Sequence, residues 1–177
     1  MNFESAAKET QFIQALGELE VLCGSPPVPH ASTDGRFTFQ VQSDRKLDLE
    51  KVHSDFLTRG AYVFTTESRF KNSVTVLPTT DKYDVMQAMH TNGANHDLGP
   101  DDVVAWMRKL EEDQPFVLFG IGHDFLSGRF TTKIENPAEL AERMYKFCPD
   151  IVDQGVGEVE ELAAELERSN RLFFWWD

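Results

Sequence analysis

The C-terminal stretch "FCPDIVDQGVGEVEELAAELERSNRLFFWWD" carries a cysteine, three aspartates and a glutamine that could do chemistry: Cys148, Asp150, Asp153, Asp177 and Gln154. A nucleophilic Cys148 would need a base, and His90, His96 and His123 are the candidate imidazoles. A cysteine that closes a helix faces the negative end of the helix dipole, which raises its pKa and opposes reactivity. The residues therefore assign no catalytic group. Metal chemistry is no better supplied. His90 and His96 stand six apart with Asp97 adjacent, and His123 precedes Asp124 in a turn. Neither pattern has the i, i+4 spacing or the short Cys/His pairs of familiar sites. No metal ligand and no cofactor is expected.

Binding is the other use for such residues. Asp150, Gln154 and Asp177 could converge with Trp175 and Trp176 into a polar-edged pocket. Asn92, Asn95, Cys148 and Asp153 complete the candidate set. The same residues also read as plain structure. Pro149 disfavours helical geometry at Cys148. Asp150 and Asp153 suit the turn before the next helix, where short acids bond free N–H groups.

Helices and strands must position these groups. Phe12, Ile13, Leu16 and Leu19 mark one face of a first helix. The Pro- and Gly-rich "CGSPPVPHASTDG" follows as a linker, so residues 1–34 form an N-terminal helix and linker. Residues 35–177 form the body, split into 35–93 and 94–177. "RFTFQVQ" alternates as a half-buried strand. "LDLEKVHSDFLTRG" is a helix with His53 beside Val52, stopped at Gly60. "AYVFTT" and "SVTVLP" are strands joined around Arg69–Asn72. "DKYDVMQAMHTNG" is a short helix closed in a left-handed cap by Asn92 and Gly93. The order then recurs: a helix from Pro100, strands "FVLFGI" and "FLSGRFTT", and a helix capped by Asn136 with Pro137 at its first position. Helix–strand–strand–helix thus occurs twice. A further helix, with Val159, Leu162, Ala163 and Leu166 inward, leads to the last strand. The expected class is α+β: two fused, incomplete ferredoxin-like units with mixed or antiparallel sheet and helices packed on one side. In the final strand Leu172, Phe174 and Trp176 share one face, and Phe173 and Trp175 the other. Aromatics on both faces predict a central, doubly covered strand.

The chain has 177 residues, of which 41% are hydrophobic, including 14 Phe. It is long enough to bury roughly 70% of its unfolded surface without a disulfide or metal. A net charge of −13 excludes nucleic acid and anionic membrane as partners and suits a basic protein. The acidity is uneven: from Ile134 onward there are eleven Asp and Glu against four Lys and Arg. No apolar run is long enough to span a membrane, and the polar N-terminus lacks a leader pattern. A cytoplasmic protein with two reduced cysteines, Cys23 and Cys148, is expected. The sequence sets no oligomeric state.

The Cys-Pro-Asp after a helix, the Gln-Gly that follows, and the terminal aromatic-aromatic-Trp-Asp strand resemble the bacterial family known as domain of unknown function 4253. The upstream "HTNGANHDLGPDDVVAWM" resembles that family's Thr-Asn-Gly segment, which carries glycine where this chain has His90. The likeness spans about Thr91 to Asp177. It implies a shared fold and names no activity.

Two functions are expected. The first is a non-catalytic, acidic binding or immunity-type protein. The second is a small enzyme or ligand-binding domain with a pocket at the Cys148–Gln154 corner beside the last strand.

Overall fold

A computed structural model of the chain describes residues 3–31, 34–67 and 72–177. Residues 69–71 of the turn expected around Arg69–Asn72 lie outside the described residues. The first part of the chain runs α1 (Phe3–Cys23), β1 (Val28–Pro29), β2 (Phe37–Gln40), α2 (Leu49–Leu57), β3 (Tyr62–Phe64), β4 (Ser73–Leu77) and α3 (Lys82–Ala88). The second runs α4 (Pro100–Asp113), β5 (Phe116–Ile121), β6 (Phe125–Phe130), α5 (Pro137–Phe147), α6 (Val159–Ser169) and β7 (Arg171–Trp175). A 3-10 turn at Ala94–His96 precedes α4, and a π-helical turn at Ile151–Val156 separates α5 from α6. The class is α+β, with two antiparallel sheets. Among the described residues no helix is long and apolar enough to cross a membrane.

Local chemistry sets the helix ends. The Asp48 carboxylate accepts from the Lys51 N–H at 3.1 Å and starts α2. Asp81 accepts from the Tyr83 N–H at 2.8 Å and starts α3. Asn136 caps α5 by accepting from the Glu139 N–H, with Pro137 in the first turn, as expected. The cap of α3 differs from expectation. His90, not Asn92 or Gly93, takes the left-handed conformation (φ 51°), and the Thr91 N–H donates back to the Met86 carbonyl. Glycine is the usual residue at that position of the motif, and here a histidine takes it. In α1 the buried face is Ala15, Leu19 and Cys23, and Ile13 points outward at 60% exposed.

The strands order as β1-β2-β4-β3 in one sheet and β5-β6-β7 in the other. Among the described residues a single parallel bridge joins them: the Thr65 N–H donates to the Phe119 carbonyl and the Ile121 N–H to the Thr65 carbonyl, both at 2.9 Å. Along β3 alternation sends Tyr62 and Phe64 to one core and Val63 to another. The first core, under α3, α4, α5 and α6, includes Met86, Met107, Leu118, Met144 and Phe174. The second lies beneath α1 and α2 around Phe39, Val63, Val74 and Val76. Helices therefore cover both faces of the first sheet rather than one, because β3 and β4 are buried along their whole length.

The order helix, strand, strand, helix recurs as α2–β3–β4–α3 and α4–β5–β6–α5. Outward from the joint, the first part reads β3, β4, β2, β1 and the second β5, β6, β7. α6 reverses the chain once more, so β7 enters antiparallel to β6. The last strand is thus the outer strand of its sheet and not a central one. Its Leu172–Phe174–Trp176 face is fully covered, whereas Phe173 and Trp175 are half-buried. Aromatic content on both faces reports burial above and below the strand, and says nothing of neighbours to either side.

Candidate functional site

Residues 148–156 fold as a corner against the end of β7. Cys148 leaves helical geometry (φ −139°, ψ 84°) immediately before Pro149, which stops α5 there. Its thiol is fully buried and donates to the Trp175 carbonyl at 3.0 Å. Burial pushes that thiol up to about 12, so almost no thiolate exists at neutral pH.

Asp150 gathers three parts of the chain. It is 6% exposed, and three donors surround its carboxylate. His96 Nε2 donates to Oδ2 at 2.8 Å, the Asp177 backbone N–H to Oδ2 at 3.1 Å, and Gln154 Nε2 to Oδ1 at 3.1 Å. Burial alone would raise the Asp150 pKa. The bonds from His96, Asp177 and Gln154 outweigh it and hold the carboxyl below its ordinary value. The Thr-Asn-Gly loop, the corner and the chain's end are thereby fastened to one another.

The other expected site residues divide. Trp176 is 3% exposed, stacks on Phe174 at 5.7 Å and meets Phe147 edge-on at 5.5 Å. Its ring presses so closely on Gly93 that a Cβ there would lie 2.6 Å from the indole Cδ1. The indole N–H is buried with no hydrogen-bond partner among the described residues. Asn92 turns back on its own loop, accepting from the Ala94 N–H at 3.0 Å, and its amide lies against His123. Asn95 and Asp153 are exposed, and Asp153 accepts from the Tyr145 hydroxyl at 3.2 Å. The Asp177 side chain is exposed, and its backbone makes the contact. Among the described residues no group of three His, Cys, Asp or Glu is arranged to hold a metal ion.

Trp175 belongs to a different feature. With Phe173 it lines a cleft of about 470 Å³ between β7 and the Ile151–Leu166 segment, over Met144, Leu162 and Leu166. Two charged groups, Glu165 and Arg171, stand at its edge. The Arg171 guanidinium lies 5.4 Å from the centre of the Phe173 ring. Hydrogen bonding fixes which way β7 presents its backbone. The Phe130 N–H donates to the Asn170 carbonyl and the Trp176 N–H to the Asp124 carbonyl, both at 2.9 Å. Even-numbered residues therefore turn their backbone toward β6, and Arg171, Phe173 and Trp175 turn theirs outward. Ser169 takes up the Arg171 N–H, and Cys148 the Trp175 carbonyl. The Arg171 carbonyl, both Phe173 groups and the Trp175 N–H have no hydrogen-bond partner among the described residues.

Three features were not anticipated. His96 joins Asp150 across 54 positions, with no local signal beyond its place beside the Thr-Asn-Gly segment. The cleft floor was hidden because Leu162 and Leu166 fit the helical stripe of an ordinary core helix. A polar cluster also bridges the two sequence halves. The Tyr83 hydroxyl donates to Glu111 at 2.5 Å, Lys82 pairs with Glu111 and donates to the Phe116 carbonyl at 2.9 Å, and Arg108 covers the Tyr83 ring at 3.9 Å. These groups fasten α3 to α4 and β5.

Searches of curated proteins and of solved structures find no match to this chain. A family model does match, over residues 73–177, from β4 to the last residue, which includes the Asp150 corner, the cleft and the whole of β7. On that match, covering more than half of its length, the chain belongs to the family described as Domain of unknown function (DUF4253).

Proposed function

We propose that the protein is a non-catalytic binding protein of the bacterial cytoplasm, of the immunity type, which masks a basic protein partner. One observation carries this: an acidic helix borders an open apolar cleft. Between Glu158 and Arg168 the chain places five glutamates against one arginine, and Glu158, Glu160, Glu161 and Glu167 are exposed. A single-signed field beside an apolar surface steers an oppositely charged protein and then gives it something to bury against. The titratable groups nearby support the same role. The carboxylate of Asp150 is occupied by internal donors and the thiol of Cys148 by a carbonyl, so both serve to anchor the chain's end.

A second use has support from the cleft's size, which falls in the range of small-molecule pockets. Its walls are largely apolar, with Glu165 and Arg171 as the charged groups, so an apolar ligand with a charged end is the alternative occupant.

The test uses the tagged full-length chain and its triple variant Glu158→Gln, Glu161→Gln, Glu165→Gln. The wild type is expected to form a stoichiometric complex with a basic protein, stable on gel filtration at low salt and weakened as salt rises. The triple variant should lose it while melting normally. A complex indifferent to salt and to the substitutions would refute the proposal. A toxin gene immediately upstream would identify the partner to use.

A further inference from the structure

We infer that the outer edge of β7 is a docking site for an extended, basic-apolar segment of a partner protein, which adds to the sheet as the next strand. The inference rests on the binding function proposed above and names how the partner is held.

The two ends of the sheet carry the argument. At one end β1 pairs with β2 through Val28↔Thr38 and Pro29↔Phe37 and occupies the fourth place outward from the Thr65 bridge. At the other end the fourth place, beside β7, is the cleft. Four backbone groups of Arg171, Phe173 and Trp175 point into it without hydrogen-bond partners among the described residues. Exposed strand edges invite pairing, and folded proteins commonly blunt them with Lys, Pro, bulges or short length. β7 has five residues, continuous pairing to β6, and neither Lys nor Pro. α6 stands off to the side instead, leaving an apolar floor whose open surface is that of Val156, Phe173 and Trp175, above the buried Met144, Leu162 and Leu166.

A strand laid along β7 would receive main-chain hydrogen bonds from the edge and place alternate side chains on that apolar floor. Charge selects the occupant. Glu161 and Glu165 stand one turn apart on α6, Glu158 caps its start, and Glu165 borders the cleft. Lys or Arg between the apolar residues would turn to the other face of the added strand and be held by the field of this stripe rather than by contact with it. A second copy of the chain would instead bring the same acidic helix and another net charge of −13 to the contact.

The probe is a fluorescein-labelled peptide of alternating Lys and Val, seven residues long, titrated against the full-length chain by anisotropy. Saturable binding is expected, and replacing every Lys by Glu should abolish it. Two further peptides carry backbone N-methyl groups on alternate residues, one set on Val and one on Lys. A paired strand turns only one set of N–H groups toward β7, so one peptide should weaken by about tenfold or more and the other should not. Phe173→Pro removes an outward N–H and leaves the bonds to β6 in place, so it should weaken the parent peptide by about tenfold while the melt stays cooperative. Equal binding by the two methylated peptides would overturn the inference, as would no saturable binding. The salt-sensitive complex with a basic protein would stand in either case if it survives Phe173→Pro, which separates this inference from the function itself. Sedimentation that shows a dimer dissolved by Phe173→Pro would overturn the choice of occupant in favour of a second copy.

Discussion

The two ends of the sheet meet the same hazard in opposite ways. β1 is two residues long, exposed, and contains Pro29, which cannot donate to a further strand. β7 has five residues, is rich in aromatics, and keeps four backbone groups of its outer edge without partners among the described residues, beside an acidic helix. A strand end that offers hydrogen bonds and an apolar floor suits recognition, whereas one that offers neither closes the sheet. The difference also extends to what each strand supports. β7 contributes Leu172, Phe174 and Trp176 to the larger core, while both residues of β1 are exposed.

Removing each end measures that asymmetry. Truncation after Asn170 should abolish cooperative unfolding. It deletes Phe174 and Trp176, each worth about 3–5 kcal/mol on replacement by Ala, from a domain holding about 5–15 kcal/mol. It also bares the β6 edge, whose N–H and C=O groups now pair with β7. Replacing Val28 and Pro29 by Ser should cost about 0.5 kcal/mol or less in a thermal melt. A truncated chain that melts near the full-length temperature would make β7 an appendage like β1.

Asp150 is what ties the end of β7 down, so Asp150→Asn sharpens the comparison. The substitution weakens charge-assisted bonds to His96, Gln154 and the Asp177 N–H, and about 1.5–3 kcal/mol should be lost at pH 7. The pH dependence has a definite sign. The folded carboxyl has a lowered pKa, so its contribution is complete above the unfolded carboxylate range near pH 4 and vanishes as pH falls through the folded value. Melting temperatures of wild type and Asp150→Asn should therefore converge on acidification. A gap that persists at the acid end would mean that shape, not charge, holds the corner.

The smallest effect expected concerns Cys148, whose thiol covers the last outward carbonyl of β7. Cys23 packs beneath the first sheet and is likewise fully buried, with burial raising its pKa to about 11. Both thiols should react slowly with a maleimide in the native state at neutral pH and rapidly after unfolding. Rapid labelling of Cys148 alone would show that the β7 end opens while the first sheet stays closed, and would restore it as a candidate nucleophile.

Local rules carried much of this architecture. Asn136 and Pro137 announce the start of α5, and Pro149 its end, because caps and proline act within a few residues of themselves. The alternation in "RLFFWWD" correctly divides Leu172, Phe174 and Trp176 from Phe173 and Trp175, since side-chain direction in a strand depends only on parity. The count of acids in the last helix is likewise a property of the sequence. What lies beside β7 is not. Strand neighbours are chosen by contacts between distant segments, and a chain's alternation is the same at a sheet's centre and at its edge. For the same reason the sequence could not choose between Asp150 and Asp153. Both suit a turn, and only the fold brings His96 and the Asp177 N–H to one and leaves the other facing water with Tyr145.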